Sequence, residues 1–179
     1  MIQGKKVILD SIEQDDLEIL RQWRNRTEYR KYFREYREIG KDMQKKWYEN
    51  YVLNDKSTIM FAVRDAQTES LIGCCGLCYI NWVNRNADLS LYMGINGVYI
   101  DESGQALEAC QLLFDYGFGE LGLEKIWTEI YEFDEQKYAL YKKLGFSEDG
   151  RLRRQYFHDN KWWDSYILSL LSEEHRRRV

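Results

Sequence analysis

The sequence predicts an α+β domain in which about four helices flank a mixed, mostly antiparallel sheet of about seven strands. Segments with strand-like alternation and segments with helical spacing follow in the order β-α-α-β-β-β-α-β-α-β-β. Three consecutive strand segments are separated only by short polar turns, as in antiparallel hairpins. The 179 residues carry no internal repeat or Gly/Ser linker, so we expect one domain over residues 1–172, followed by a charged tail over 173–179.

The individual elements follow from local patterns. The predicted strands cover 7–9, 58–63, 71–80, 88–93, 125–131, 152–158 and 162–171, and the predicted helices cover 12–25, 42–53, 104–121 and 134–144. Gly145 stands where a helix ends in a left-handed residue, which predicts the end of the last helix. Asp159 and Asn160 form a turn pair, which predicts a hairpin between the last two strands.

Composition excludes several classes of protein. Twenty-six basic and 30 acidic residues give a net charge of −4, which argues against a general nucleic-acid-binding surface. The sequence has no apolar run of about 18 residues, and the amino-terminal segment lacks an apolar signal core. We therefore expect a cytoplasmic protein with no membrane partner.

The four cysteines do not predict a metal site. Cys75 and Cys78 have the CxxC spacing, but a zinc site needs a second ligand pair, and the two histidines lie far along the chain. Small buried side chains on a strand are the better interpretation of this segment, and we expect no metal.

The start of the 104–121 helix is the first candidate site. Gly104 allows close approach of a ligand to the backbone, and the free amides of a helix amino terminus favour an anion such as pyrophosphate. An ordinary helix start after a glycine explains the same residues.

The 134–144 helix is the second candidate. Asp134 and Tyr141 are seven residues apart and therefore share one face. A tyrosine hydroxyl, with a pKa of about 10, can protonate a departing thiolate whose thiol has a pKa of about 8.5. A half-buried packing tyrosine is the alternative.

Several motifs together resemble a known family. The runs Leu140-Tyr-Lys-Lys-Leu-Gly-Phe146, Gly150-Arg-Leu-Arg153 and Gly104-x-Ala106-x-Glu108-Ala109 resemble the GNAT superfamily of acetyl-CoA-dependent N-acyltransferases, and within it the ribosomal-protein and polyamine acetyltransferase branches. The resemblance implies a GNAT-like sheet whose strands 88–93 and 125–131 splay apart around the pantetheine arm of acetyl-CoA, and an acetyl group transferred directly to a primary amine.

The resemblance also implies roles for individual residues. Tyr141 would protonate the thiolate, and Asp88 would remove the acceptor's proton through water. The residues implied in binding acetyl-CoA are Met93, Gly94, Ile95, Ser103, Gly104, Gln105, Ala106, Leu107, Asp134 and Tyr138. Two positions depart from the family pattern: Asp101 and the neighbouring Glu102 stand where Gln or Arg precedes the phosphate loop, and Asp134 replaces an Asn.

The acceptor is the least determined part of the sequence. The basic, aromatic stretch 24–46 lies where relatives bind the acceptor, and the implied substrate-binding residues are Trp23, Arg24, Asn25 and Tyr32. A solvated charged face is the alternative. The expected acceptor is a protein N-terminus, an amino sugar or another small amine, and we expect a homodimer or a higher homo-oligomer. A catalytically inactive GNAT-fold module with weakened CoA binding is the alternative function.

Overall fold

Eight strands form one sheet in the computed structural model, which describes residues 1–177. The strands are β1 (Ile2–Gln3), β2 (Val7–Asp10), β3 (Ile59–Asp65), β4 (Leu71–Asn81), β5 (Asn86–Met93), β6 (Lys125–Tyr131), β7 (Ser147–His158) and β8 (Lys161–Leu171). They lie in the order β1-β2-β3-β4-β5-β6-β8-β7, and every neighbouring pair is antiparallel except β5 and β6. The sequence predicted seven of these strands. The eighth, β1, is two residues long and too short for a periodic pattern.

Six α-helices accompany the sheet in the described part of the chain. They are α1 (Leu17–Asn25), α2 (Thr27–Arg30), α3 (Lys41–Trp47), α4 (Gln105–Asp115), α5 (Glu135–Leu144) and α6 (Ser172–Arg176). A π-helical turn extends α3 as far as Leu53 and another extends α4 as far as Glu120. The four long helices predicted from the sequence are confirmed, and the two additional ones, α2 and α6, have four and five residues. None of the helices in residues 1–177 combines the length and the apolar character needed to cross a bilayer.

The parallel pair β5 and β6 opens into a wedge. In the described structure the two strands pair only at Asn86–Lys125, Ala87–Ile126 and Asp88–Trp127. Beyond these positions the strands diverge, while β6 continues to pair with β8 as far as Tyr131. The predicted splaying of the central strands is therefore confirmed, and it leaves side chains of both strands facing an open space.

Local sequence signals end the elements as predicted. The Asp134 side chain accepts a hydrogen bond from the Lys137 amide (3.2 Å) and so caps α5 at its amino terminus. Gly145 closes the same helix with φ = 99°, a conformation that glycine adopts without steric cost. Asp159 and Asn160 have φ of 50° and 55°, the positive values of a tight hairpin turn between β7 and β8.

The beginning of the predicted tail belongs to the domain. Residues 172–176 form α6, and His175 is buried, with Nε2 2.7 Å from Asp115 Oδ1 at the end of α4. The His175 ring also lies 5.3 Å from the ring of Phe118. These contacts hold residues 172–176 on α4, whereas the sequence placed the start of a charged tail at residue 173. The last part of the predicted tail, residues 178–179, lies outside the described residues.

Gly94, at the end of β5, permits the packing of α1 on the sheet. A Cβ built on Gly94 would overlap the indole ring of Trp23, which is buried on α1. We expect Gly94→Ala to lower the free energy of unfolding by about 1–3 kcal/mol, the usual cost of overpacking, as measured by urea denaturation. Gly150→Ala is the control, because a Cβ at Gly150 meets no atom within 4 Å in the described structure. Equal stabilities of the two variants would contradict this account of Trp23.

Candidate active site

A cleft of about 420 Å³ lies where β5 and β6 separate. Its walls come from residues 88–92 of β5, from β6, from α1 and the segment after it, and from α5, with further residues of β3, β4 and α3 with its extension. The lining residues discussed below are Arg24, Tyr32, Phe33, Arg34, Asp88, Tyr92, Thr128, Glu129 and Lys137. We call this space the central cleft.

Two carboxylates of the central cleft share one guanidinium. Arg34 Nη1 lies 3.7 Å from Asp88 Oδ2, and Arg34 Nη2 lies 3.4 Å from Glu129 Oε2. Burial raises the pKa of Asp88 to about 6, although the neighbouring Arg34 acts in the opposite direction. Asp88 therefore gains and loses a proton close to neutral pH, as a general base requires.

The environment of Tyr141 suits a proton donor. Its side chain on α5 is fully buried, and its hydroxyl has no hydrogen-bond partner within residues 1–177. Buried hydroxyls are normally paired, so an orphaned one suggests a missing partner. Burial raises the pKa of Tyr141 well above its usual value, and this keeps the proton on the oxygen.

The amino-terminal end of α5 is closed by a polar contact. The Tyr99 hydroxyl donates a hydrogen bond to Asp134 Oδ2 (3.2 Å), while Asp134 Oδ1 caps the helix. Both oxygens of Asp134 are therefore engaged within the protein. Tyr138, also predicted to bind the donor, is half-buried and packs its ring 5.3 Å from that of Tyr166 on β8.

The amino terminus of α4 is occupied by Asp101. The two carboxylate oxygens of Asp101 accept hydrogen bonds from the amides of Gln105 (2.8 Å) and Ala106 (2.6 Å), and Oδ2 also accepts one from Ser103 Oγ (2.6 Å). Although partial burial opposes it, these bonds hold the pKa of Asp101 below its usual value. Gly104 adopts φ = 90° at this turn, a left-handed conformation that glycine reaches without steric cost.

This arrangement changes the predicted phosphate site. The amides of Gln105 and Ala106, expected to receive a pyrophosphate, are instead bonded to an internal carboxylate. Lys6 Nζ donates to the carbonyl oxygen of Ser103, and Leu107 packs half-buried against the core. A phosphate group can reach the two amides only when Asp101 turns away.

The backbone at the end of β5 is likewise engaged. The Met93 amide donates to the Tyr99 carbonyl (3.0 Å), and the Gly94 amide donates to the Ile72 carbonyl (3.0 Å). The Gly94 carbonyl accepts from Arg26 Nη1 (2.9 Å), and the Ile95 carbonyl accepts from the Val98 amide (3.1 Å). The groups predicted to bind the pantetheine arm thus lie beside the wedge, but these four are paired within the chain.

The four predicted acceptor residues divide into two pairs. Arg24 and Tyr32 line the central cleft, with the Arg24 guanidinium 4.2 Å from the centre of the Phe33 ring. Trp23 and Asn25 do not line it. Trp23 packs on Gly94, and Asn25 exchanges two hydrogen bonds with the backbone of Ile39 (2.8 and 2.9 Å), which holds the loop before α3. Trp23 and Asn25 therefore have structural roles in this fold.

Three further residues of the site lacked a predicted role. Glu129 and Lys137 line the central cleft, and Asp101 caps α4. Lys137 is four residues before Tyr141, so helical spacing alone places both on one face. Asp101 stands three residues before Gly104, the N-cap of α4, and the sequence does not reveal that its carboxylate turns back onto the helix amides.

Comparison with known proteins identifies the family. A model described as an acetyltransferase (GNAT) domain matches residues 6–147. A spermidine N(1)-acetyltransferase of Vibrio cholerae is 25% identical over 175 residues, which cover 98% of both chains. The crystal structure of a spermidine N-acetyltransferase from Vibrio cholerae in complex with CoA and spermine superposes with a TM-score of 0.86 at 25% identity, over 97% of this chain and 99% of the other.

A further solved structure has the same fold. It is the dodecameric structure of spermidine N-acetyltransferase from Vibrio cholerae in an intermediate state, with a TM-score of 0.81 at 24% identity, and it covers 98% of this chain and 99% of the other. The predicted family resemblance is confirmed by the family model and by the wedge between β5 and β6. The chain belongs to the GNAT acetyltransferase family.

Proposed function

We propose that this protein transfers the acetyl group of acetyl-CoA to a primary amine by direct attack within a ternary complex. The observation that carries the proposal is the buried, unpartnered hydroxyl of Tyr141, on the α5 face that it shares with Lys137 of the central cleft. The family assignment supports acetyl transfer as the reaction, and the similar protein crystallised with CoA and spermine supports the donor and the class of acceptor.

The residues present fit acetyl-CoA in part. The diverging strands provide room for a pantetheine arm, and the Tyr141 hydroxyl lacks the partner that a thiol sulfur would provide. The α4 amides fit a pyrophosphate only after Asp101 has released them. Acetyl-CoA would supply the activated acetyl group as a thioester, and the amides of residues 103–107 would hold its phosphates.

The side chains of the site supply the proton transfers. An alkyl amine with a pKa of about 10.4 arrives as an ammonium ion, which must lose a proton before it can attack a carbonyl carbon. Asp88 faces the central cleft and accepts this proton directly or through water. Tyr141 donates a proton to the sulfur as the thiolate leaves. The reaction therefore needs no cysteine nucleophile.

The acceptor is proposed to be a small amine that places its ammonium group between Asp88 and Glu129. Arg34 holds these carboxylates in the free protein and is exchanged for the substrate's cation. Arg24 lines the same cleft beside the Phe33 and Tyr92 rings, where it can contact an anionic or polar part of the acceptor. A polyamine, an amino sugar and a peptide N-terminus each supply the required amine. We further propose a cytoplasmic homo-oligomer.

Calorimetry and an amine screen test this proposal together. We expect micromolar binding of acetyl-CoA, and release of free thiol when spermidine, glucosamine or short peptides are added. Thiol release without an amine gives the hydrolysis background, and denatured protein gives the chemical background. Binding of acetyl-CoA without amine-dependent thiol release would contradict the acetyltransferase.

A binding module without catalysis is the second candidate function, because Asp101 already occupies the α4 amides. This alternative predicts no detectable binding at millimolar acetyl-CoA in the same calorimetric titration. Micromolar binding together with amine-dependent thiol release would exclude it.

The pKa of Asp88 predicts a specific pH profile. For the unmodified protein, kcat/KM is expected to rise about tenfold per pH unit below about pH 6 and then to level off, because ionised Asp88 deprotonates a bound ammonium ion. Asp88→Asn must use amine that is already neutral in solution, so its lower rate should keep rising towards the amine pKa of about 10.4. Profiles of the same shape for both proteins would exclude Asp88 as the base.

A further inference from the structure

Lys137 places an amine inside the central cleft. Its side chain lines the cleft, and Nζ lies 5.0 Å from the centre of the Tyr99 ring, which is itself buried. Within residues 1–177, no carboxylate oxygen lies within 4.0 Å of this nitrogen. The two following lysines of α5, Lys142 and Lys143, are exposed. Lys137 is thus the lysine of this helix that is turned towards the proposed reaction space.

The same helix face carries the proposed proton donor. Lys137 and Tyr141 are four residues apart on α5, so their side chains are neighbours on the helix surface. Asp88, the proposed base, lines the cleft from β5 on the opposite side. An amine and a base therefore border the central cleft, and the proposed acid lies one helical turn from the amine on α5.

The surroundings of Lys137 also favour a reactive amine. Desolvation lowers the pKa of Lys137, and Arg24 acts in the same direction, while Asp134 and Asp88 oppose the shift. A lysine with a lowered pKa spends more time as the neutral amine, which is the nucleophilic form. By contrast, Lys142 and Lys143 are exposed to solvent.

From this placement we propose that Lys137 is an acceptor within the protein, and that its Nζ takes the acetyl group of bound acetyl-CoA. The inference rests on the proposed function. The Nζ lone pair forms a bond to the thioester carbonyl carbon, and the C–S bond breaks. Asp88 takes the proton that Nζ loses, and Tyr141 gives a proton to the sulfur. The products are Nε-acetyl-lysine and free coenzyme A, and proton exchange with solvent restores both side chains.

Self-acetylation has a consequence for the cleft. The acetamide has no positive charge and is longer than the amine by an acetyl group, so it would take up more of the cleft that Asp88 and Thr128 also line. A chain acetylated at Lys137 should therefore bind free amines less well. This acetylation is a side reaction of acetyl transfer. It should occur when the protein is exposed to acetyl-CoA in the absence of a free amine.

Mass spectrometry of the intact protein and its peptides tests the proposal. The full chain is incubated with acetyl-CoA carrying a deuterated acetyl group and no amine, so that new acetyl groups are distinguished from old ones. We expect one label per chain, located on Lys137, at a rate independent of protein concentration. The exposed Lys142 and Lys143 report direct chemical acetylation, and proximity should make Lys137 react at least about tenfold faster. Lys137→Arg should remove the label while acetyl-CoA binding is retained.

The possible results separate this inference from the proposed function. Equal labelling of Lys137, Lys142 and Lys143 would overturn the inference, because it indicates solution chemistry. An unlabelled Lys137 in a protein that releases thiol with free amines would also overturn it, while the acetyltransferase stands. A protein that does not bind acetyl-CoA would overturn both. Faster labelling at higher protein concentration would indicate transfer between chains and would contradict an acceptor in its own cleft.

Discussion

Replacement of Tyr141 by phenylalanine is expected to lower kcat by about 10²- to 10⁴-fold, the usual contribution of a general acid. The affinity for acetyl-CoA should change little, because the hydroxyl acts on the sulfur only as the thiolate departs. Steady-state kinetics at saturating substrate and a calorimetric titration measure the two quantities. An unchanged kcat would exclude Tyr141 as the proton donor.

The structure provides a check that the expected loss of kcat reflects catalysis and not a loss of stability. The Tyr141 hydroxyl makes no hydrogen bond in the described residues, so its removal breaks none. The melting temperature of Tyr141→Phe should therefore be unchanged or higher, since an unsatisfied buried hydroxyl is costly. Tyr116→Phe is the matched control. Tyr116 is half-buried beside Phe61, away from the lining of the central cleft, and its hydroxyl should be dispensable for turnover.

Asp101→Ala is expected to change stability and donor affinity in opposite directions. The free protein loses the carboxylate that caps α4, at a cost of about 1 kcal/mol in the free energy of unfolding. Acetyl-CoA no longer competes with that carboxylate, so its dissociation constant should fall by about fivefold or more. Thermal denaturation and calorimetry measure the two effects.

Two controls distinguish direct competition between the Asp101 carboxylate and the phosphates from a general effect of negative charge near the site. Glu102→Gln removes the neighbouring negative charge, but Glu102 is exposed and makes no side-chain hydrogen bond within residues 1–177. It should therefore affect affinity only slightly, and less at high salt. S-acetyl-pantetheine lacks the pyrophosphate, so Asp101→Ala should not improve its binding. Weaker acetyl-CoA binding by Asp101→Ala would mean that the phosphates take another route.

The features predicted correctly depend on local signals. Alternating patterns predicted the long strands, Gly145 predicted the end of α5, and Asp159 with Asn160 predicted the final turn. The divergence of β5 and β6 followed from the family resemblance, because each strand by itself has an ordinary alternating pattern. Periodicity and turn residues therefore predicted the long strands and helices, but not the short elements β1, α2 and α6.

The features that escaped prediction depend on contacts between distant residues. Trp23 packs its indole ring on Gly94, about 70 positions away, and its own sequence neighbours do not show this contact. The helical conformation of residues 172–176 accompanies the contact of His175 with Asp115, about 60 positions away. The side chains of Glu129 and Lys137 face the cleft because of how β6 and α5 meet it. Helical spacing pairs Lys137 with Tyr141, but no local pattern shows that these side chains face the cleft.

The guanidinium of Arg34 supplies one positive charge to two carboxylates of the central cleft. In the proposed mechanism, an ammonium group bound between Asp88 and Glu129 would replace one cation by another and leave the local charge balance unchanged. Neutral molecules of similar shape offer no such replacement, and they would leave Arg34 in place. The displaced Arg34 would then be able to pair with an acidic group of the acceptor. If the proposed mechanism holds, the protein should favour acceptors with a charged nitrogen over neutral ones.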